Sequence, residues 1–491
     1  MDKGEAMRVR RWLTGWLAGW VVVPAMAAQG PAALNEVSQA WDRYAELSSQ
    51  EKPESVDLLA ASSLVHFGFL RDMALYASPE QLRRLPSGDR IVVYLLRATQ
   101  PPAALKAMDD RAVARLCLVE GWSGVESATD DQPLMALSNV TVIDDLAVGE
   151  VAPPTESQFQ FGPVLVREGG QWRYRYESMM PDVSAFMDQA FRQSGLGEVR
   201  SMELALAAML EREAPSLALL DRTPLDDAGM RTRLNEAWPD YTAPLRWRLR
   251  AVRSKAEAGD AFAQFAFGAL QYGGGMPQLV PKNAAEGLAW LEKASEGGHG
   301  QAAWLASVAI TEEGGFSDDA MQRALPHLTR AAAHGTEPQA LLAMAQYHHD
   351  GLAGMVRDCR QAEAWAARAE EAGAKQARNE RVWILATCPV PDQRDTVRAL
   401  ELSQFMIQRR DELGWHELDT VAAALAAHGD FARATQFQTL ALEKMAADED
   451  LSKDRRAAAR KRMSARLGKY RNDRDYVLDY RAIDEMRAGR L

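Results

Sequence analysis

Apolar positions along this chain change period three times, and each change marks a boundary. Near the start, Lys3, Arg8, Arg10 and Arg11 precede an apolar run from Trp12 to Val23 that ends at Pro24-Ala25-Met26-Ala27. A charged region, a short apolar stretch and a small-x-small site in that order predict a secretory signal peptide over residues 1–27. Ala25 and Ala27 are the small residues the peptidase requires, and the mature chain starts at Ala28. The run is shorter than the roughly 17–25 residues that span a bilayer, so cleavage is favoured over an uncleaved anchor.

From Leu34 to about Arg192 helical spacing gives way to alternation. Residues 34–50, 54–76, 79–99 and 102–120 read as helices, and Ser78-Pro79-Glu80 is a helix start with a cap, a proline and an acid in the right order. Beyond Gly121-Trp122 the period shortens to two. Val140 to Ile143 and Ala147 to Val151 read as strand, and Phe159 to Arg167 with Gln171 to Tyr176 as a hairpin turning at Glu168-Gly169-Gly170. Trp172, Tyr174 and Tyr176 share one face of the last strand. Helices followed by a sheet that ends in Arg-Glu-Gly-Gly-Gln-Trp-Arg-Tyr resemble the cone-shaped family named after nuclear transport factor 2, over residues 34–195. Residues 196–250 read as a helical connector.

A third period, much longer, follows. Lys293-Ala294-Ser295-Glu296-Gly297-Gly298 matches Arg330 to Gly335 and Arg368-Ala369-Glu370-Glu371-Ala372-Gly373, at spacings of 37 and 38 residues. A shorter copy ends at Gly259. Trp290, His327 and Trp365 stand three residues before the basic position. After the glycines come Ala263, Ala302, Ala340 and Ala377; counting from Ala263 and Ala340, Phe267 and Met344, then Gly268 and Ala345, then Gly274 and Gly351 recur at fixed offsets. Small residues let paired helices approach closely, and the glycines end them. Each unit is helix, turn, helix, with an apolar face that only a neighbour can cover. The pattern over residues 251–400 resembles the Sel1-like repeats, relatives of the tetratricopeptide repeats. Gly429-Asp430-Phe431, Ala434 and Ala441 continue it over 401–480 in a form similar to a tetratricopeptide unit. The resemblance implies a scaffold that grips a protein or peptide along the first helices of its units.

Composition narrows the chemistry. With 57 Lys+Arg against 68 Asp+Glu in 491 residues, the formal charge is −11, and removing a prefix with four positive and two negative charges takes it to −13. An acidic chain lacks the basic footprint of a non-specific nucleic-acid binder. The basic run Lys453 to Arg466 reads as a solvated helix face, with an acidic partner as the alternative. Asp144, Asp145 and Tyr174 are the candidates for an acid/base site in the first domain, although adjacent acids between strand segments usually make a turn. His348-His349-Asp350 is the most metal-like cluster, yet adjacent helical residues point a third of a turn apart, and His349 falls on a core position of the repeat. Cys117 reads as a packed core thiol, and Trp290 and Trp365 as core-type positions. No Walker, dinucleotide, H-E-x-x-H or G-x-S-x-G fingerprint occurs, so no cofactor is expected. Cys359 and Cys388 occupy neighbouring places in a solenoid. Two readings stay open for them, a disulfide, as some secreted Sel1-like proteins have, and two buried thiols.

The expected molecule is an exported, periplasmic or secreted protein, with an α+β N-terminal domain followed by an all-α helical-repeat solenoid. Its expected role is non-catalytic protein–protein interaction. Two alternatives are a small ligand or a reaction in the N-terminal cone, and carbohydrate or cell-wall binding by the repeats, which needs an aromatic stripe.

Overall fold

Prolines and capping side chains cut the N-terminal helices shorter than their apolar spacing predicts. The computed structural model describes residues 31–122, 137–151 and 162–481, so the signal prefix with Ala25, Ala27 and Ala28, and the start of the Phe159 strand, lie outside the described residues. The first helices are α1 (Pro31–Ser49), α2 (Ala61–Tyr76), α3 (Pro79–Arg84), α4 (Ser87–Thr99), α5 (Pro102–Ala107) and α6 (Asp110–Val119). The stretch predicted as one helix over 54–76 spends its start in a 3-10 turn, Pro53–Leu58. The one over 79–99 breaks at Leu85-Pro86, because a proline holds the residue before it extended (Leu85 φ −67, ψ 143). The one over 102–120 breaks at Met108, and Asp109 restarts the helix by accepting from Ala112 N at 2.8 Å. Ser78 and Gln81 cap α3 reciprocally.

Four strands follow, β1 (Leu137–Ile143), β2 (Leu146–Val151), β3 (Val164–Glu168) and β4 (Gln171–Arg175), in one antiparallel sheet of order 1-2-3-4. Then come α7 (Met180–Ser194), α8 (Glu198–Leu210), α9 (Leu217–Leu220), α10 (Ala228–Glu236) and α11 (Ala243–Glu257). The sheet is covered on both faces. Ala147, Val151, Leu165, Trp172 and Tyr174 share a core with Trp41 and Tyr44 of α1 and Phe67 and Leu70 of α2. Leu146, Val148 and Val164 pack instead against Trp247 and Ala251 of α11. Residues 196–250 do more than connect, since Met202, Leu206, Leu217, Leu220 and Leu234 belong to the same core as α2 and α4.

The chain divides into two compact units, Met1–Lys282 and Asn283–Leu491. The division falls between α12 (Ala261–Gly273) and α13 (Ala284–Glu296), inside the first repeat. The second unit continues with α14 (Gly300–Glu313), α15 (Asp318–His334), α16 (Pro338–Asp350), α17 (Cys359–Glu371), α18 (Ala377–Thr387), α19 (Thr396–Gln408), α20 (Trp415–Ala427), α21 (Phe431–Ala447) and α22 (Lys453–Tyr470). From α13 onward each helix packs on the next in sequence, which is the succession of a helical-repeat array. Among the described residues no helix is long and apolar enough to cross a membrane.

Candidate functional site

One turn recurs along the array at four glycines of nearly equal φ. Gly259, Gly298, Gly373 and Gly429 hold φ of 97, 90, 88 and 90°. In each case the next residue's amide reaches back five positions: Asp260 to Lys255 O, His299 to Ala294 O, Ala374 to Ala369 O and Asp430 to Leu425 O, at 2.9–3.0 Å. Three of those residues also cap the helix that follows. Asp260 accepts from Ala263 N, His299 Nδ1 from Ala302 N and Asp430 from Arg433 N. The alanines read as spacers, Ala263, Ala294, Ala340, Ala369 and Ala434, are wholly buried, and Gly268 is buried with them. Gly274 and Gly351 close α12 and α16 in the left-handed conformation.

The second helices carry an aromatic beside a cation. Trp290 and Trp365 are half-buried, and Trp365 packs against the clusters around Ala369 and Cys359. Lys293 Nζ lies 4.3 Å from the Trp290 ring centroid and the Arg368 guanidinium 4.2 Å from that of Trp365. His327, at the equivalent position, is buried and pairs through Nδ1 with Ser295 Oγ at 2.8 Å, while desolvation pushes its pKa down. His349 is buried, with Nδ1 2.9 Å from Asp350 Oδ1. Among the described residues no group of three His, Cys, Asp or Glu side chains is placed to hold a metal ion.

Cys359 and Cys388 are joined in a disulfide that ties the first residue of α17 to the end of α18. Ala345, Ala362, Ala366 and Ile384 pack around it. Cys117 is a free, buried thiol whose pKa burial drives up. Arg466 leaves the basic face expected of α22: it turns inward to Asp419 at 2.9 and 2.6 Å, and Gln438 donates to the same carboxylate at 2.7 Å.

No protein-family model matches the chain. No curated protein matches it either. Among solved structures it is similar to a Sel1 repeat protein from Oxalobacter formigenes, with 19% identity, 41% of this chain and 82% of that chain covered, and a TM-score of 0.31. The helical-repeat region is therefore read from this chain's own helix pairs and turns.

The acid/base candidates of the first unit are not brought together. Asp144 (φ 54) and Asp145 turn β1 into β2, and Asp144 lies exposed, 3.0 Å from Arg250. Tyr174 is buried, its ring 5.3 Å from Trp41 and 4.5 Å from Tyr44, and desolvation raises its hydroxyl pKa far above the usual range. A different cluster forms that sequence reading passed over. Asp89 of α4 is wholly buried; its Oδ1 meets His66 Nε2 at 3.1 Å and its Oδ2 accepts from the Tyr241 hydroxyl at 2.6 Å. Burial alone lowers the His66 pKa, but the charge and hydrogen bond of Asp89, with Glu177 nearby, outweigh it and the net shift is upward. The signal was available: Asp89, Val92, Val93 and Leu96 recur at helical spacing, so an acid stands on the apolar stripe of α4.

Proposed function

We propose that this protein is an exported scaffold of Sel1-like repeats that holds a protein or peptide partner, and that it performs no chemistry of its own. The observation that carries the reading is the array itself: one turn repeated, buried alanines between helices, and each helix packed on the next. Such packing fixes the outward side chains before any partner arrives, which lowers the ordering cost of binding. The Cys359–Cys388 bond supports export, because disulfides persist in oxidising compartments. The signal-like prefix supports periplasmic or secreted placement. In this reading the first unit keeps the nuclear-transport-factor-2-like form, supported by helices that precede a four-stranded antiparallel sheet. The half-buried tryptophans, each paired with a cation, favour protein over carbohydrate as the array's ligand.

The buried His66–Asp89–Tyr241 cluster favours one second reading, a small ligand or reaction in the first unit. Expression of residues 28–491 into a bacterial periplasm, crosslinking and co-purification separates the two. A stoichiometric protein partner that residues 28–282 alone fail to recover is the expected result. A small molecule that raises the melting temperature of residues 28–282, with no protein captured by the full chain, overturns the scaffold in favour of the second reading.

A further inference from the structure

The chain does not end with its last repeat helix. After α22 it turns through Asp473 (φ 51), and residues 474–479 run without regular secondary structure back onto α18. Four anchors hold this segment. The Leu478 amide donates to the Thr387 carbonyl at 2.9 Å, at the C-terminal end of α18, where helix carbonyls lack intrahelical partners. Asp475 pairs with Arg394 at 2.7 Å, and Arg394 is itself fixed by donating to Ala386 O at 2.8 Å. The Tyr476 ring lies 5.9 Å from that of Trp383, with the Arg466 guanidinium at 5.2 Å and Lys469 Nζ at 5.4 Å. The Tyr480 hydroxyl reaches Cys359 Sγ at 3.7 Å, and Arg357 stands 4.2 Å from its ring centroid.

The segment lies at the margin of the core, with Tyr476 packed against it. Among the described residues the last buried one is Tyr470; residues 475–478 and 480 are half-buried, and Arg474 and Asp479 are exposed. Its contacts are a backbone bond, an ion pair and two aromatic rings beside cations, which is how extended peptides are recognised. The ends of α17 and α18 offer Arg357 and Arg394 to a segment that presents Asp475 and Tyr480, and Lys469 of α22 stands beside the Tyr476 ring, so charge and π-faces are complementary.

We propose that residues 474–480 are a built-in occupant of the array's partner site, and that the partner is a protein whose extended segment carries an acid followed by an aromatic residue and displaces them. This rests on the scaffold reading and locates its site at the ends of α17 and α18. A tether this short keeps the segment at an effective concentration of order millimolar, so the closed chain binds a competing peptide more weakly than the open one.

The test uses residues 28–491 unmodified and with Asp475→Lys, Tyr476→Ala and Tyr480→Ala combined, against a fluorescent peptide of residues 474–481. The open variant is expected to bind the peptide about tenfold or more tighter than the unmodified chain. Adding Arg394→Glu should abolish that binding. Equal affinity for the two chains, no binding by a variant that melts like the parent, or failure of the variant to fold each overturns the proposal, the last because the segment would then be a structural element. Partner recovery by crosslinking, run on both chains, keeps the two claims apart. Equal recovery removes the segment's role and leaves the scaffold, whereas recovery by neither removes the scaffold.

Discussion

Asp89 is a carboxylate with no access to water, and its two partners come from places 23 and 152 residues away in sequence. A buried acid is tolerated only where its lone pairs are used, and here a histidine ring and a tyrosine hydroxyl use them. The pair gives the first unit a defined pH response. The folded pKa of His66 is raised above its unfolded value, so the stability it contributes is complete below about pH 6.5 and is lost as pH rises through the folded value. His66→Gln should remove that part of the slope, and each pKa unit of difference is worth about 1.4 kcal/mol. Urea unfolding at pH 6 and pH 8, with the His66 ring followed by NMR, checks this. If the unmodified chain and His66→Gln lose stability equally between those two pH values, the His66 pKa is the same folded and unfolded and the assignment fails.

At the scale of the elements, the same glycine turn explains why the array was legible from sequence and the first unit only partly so. Gly298 and Gly373, the alanines that follow and the basic residues before them recur at fixed spacing, and recurrence reports packing as well as periodicity. In the first unit, apolar spacing told which face of each helix was buried but not what covered it. Hence 196–250 read as a connector, although Met202 and Leu234 close the N-terminal core, and the second cover of the sheet, α11, was not foreseen. Nor did spacing see Leu85-Pro86 as a break, because the apolar pattern continues across it. The turn itself can be tested at Gly373. A Cβ there meets nothing within 4 Å, so Gly373→Ala pays only for the backbone conformation at φ 88. The expected loss is about 1–2 kcal/mol. Gly373→Asn should recover part of it, since Asn tolerates left-handed backbone better than Ala does. Denaturant midpoints of the two variants beside the unmodified chain give the answer; midpoints equal to that of the unmodified chain would mean the turn relaxes and the glycine is not required.

For the whole molecule, each unit carries a core of its own, one built on Trp41, Phe67 and Tyr174, the other on Ala-rich helix pairs from Ala303 to Tyr470. Only the second contains a disulfide, and the sole described free cysteine, Cys117, lies buried in the first. Sequence placed Cys359 and Cys388 as neighbours but could not choose between a bond and two thiols, because small buried residues fill either arrangement. With the bond formed, 29 residues separate the linked positions, and closing a loop of that size restricts the unfolded chain by about 3–4 kcal/mol. Packing around the sulfurs is unchanged by reduction to first order, since Ala345, Ala362, Ala366 and Ile384 surround them either way. Reduction should therefore act on the unfolded state more than on the folded one. For a unit of about 200 residues that corresponds to a fall in melting temperature of about 10 °C. Calorimetry with and without reductant should show that shift in the transition of residues 283–491, with the transition of residues 28–282 unmoved. Cys359→Ala with Cys388→Ala should reproduce it without reductant. A shift in both transitions would instead mean that the two cores unfold as one, and no shift in either would mean that residual structure in the unfolded chain already restricts it as much as the bond does.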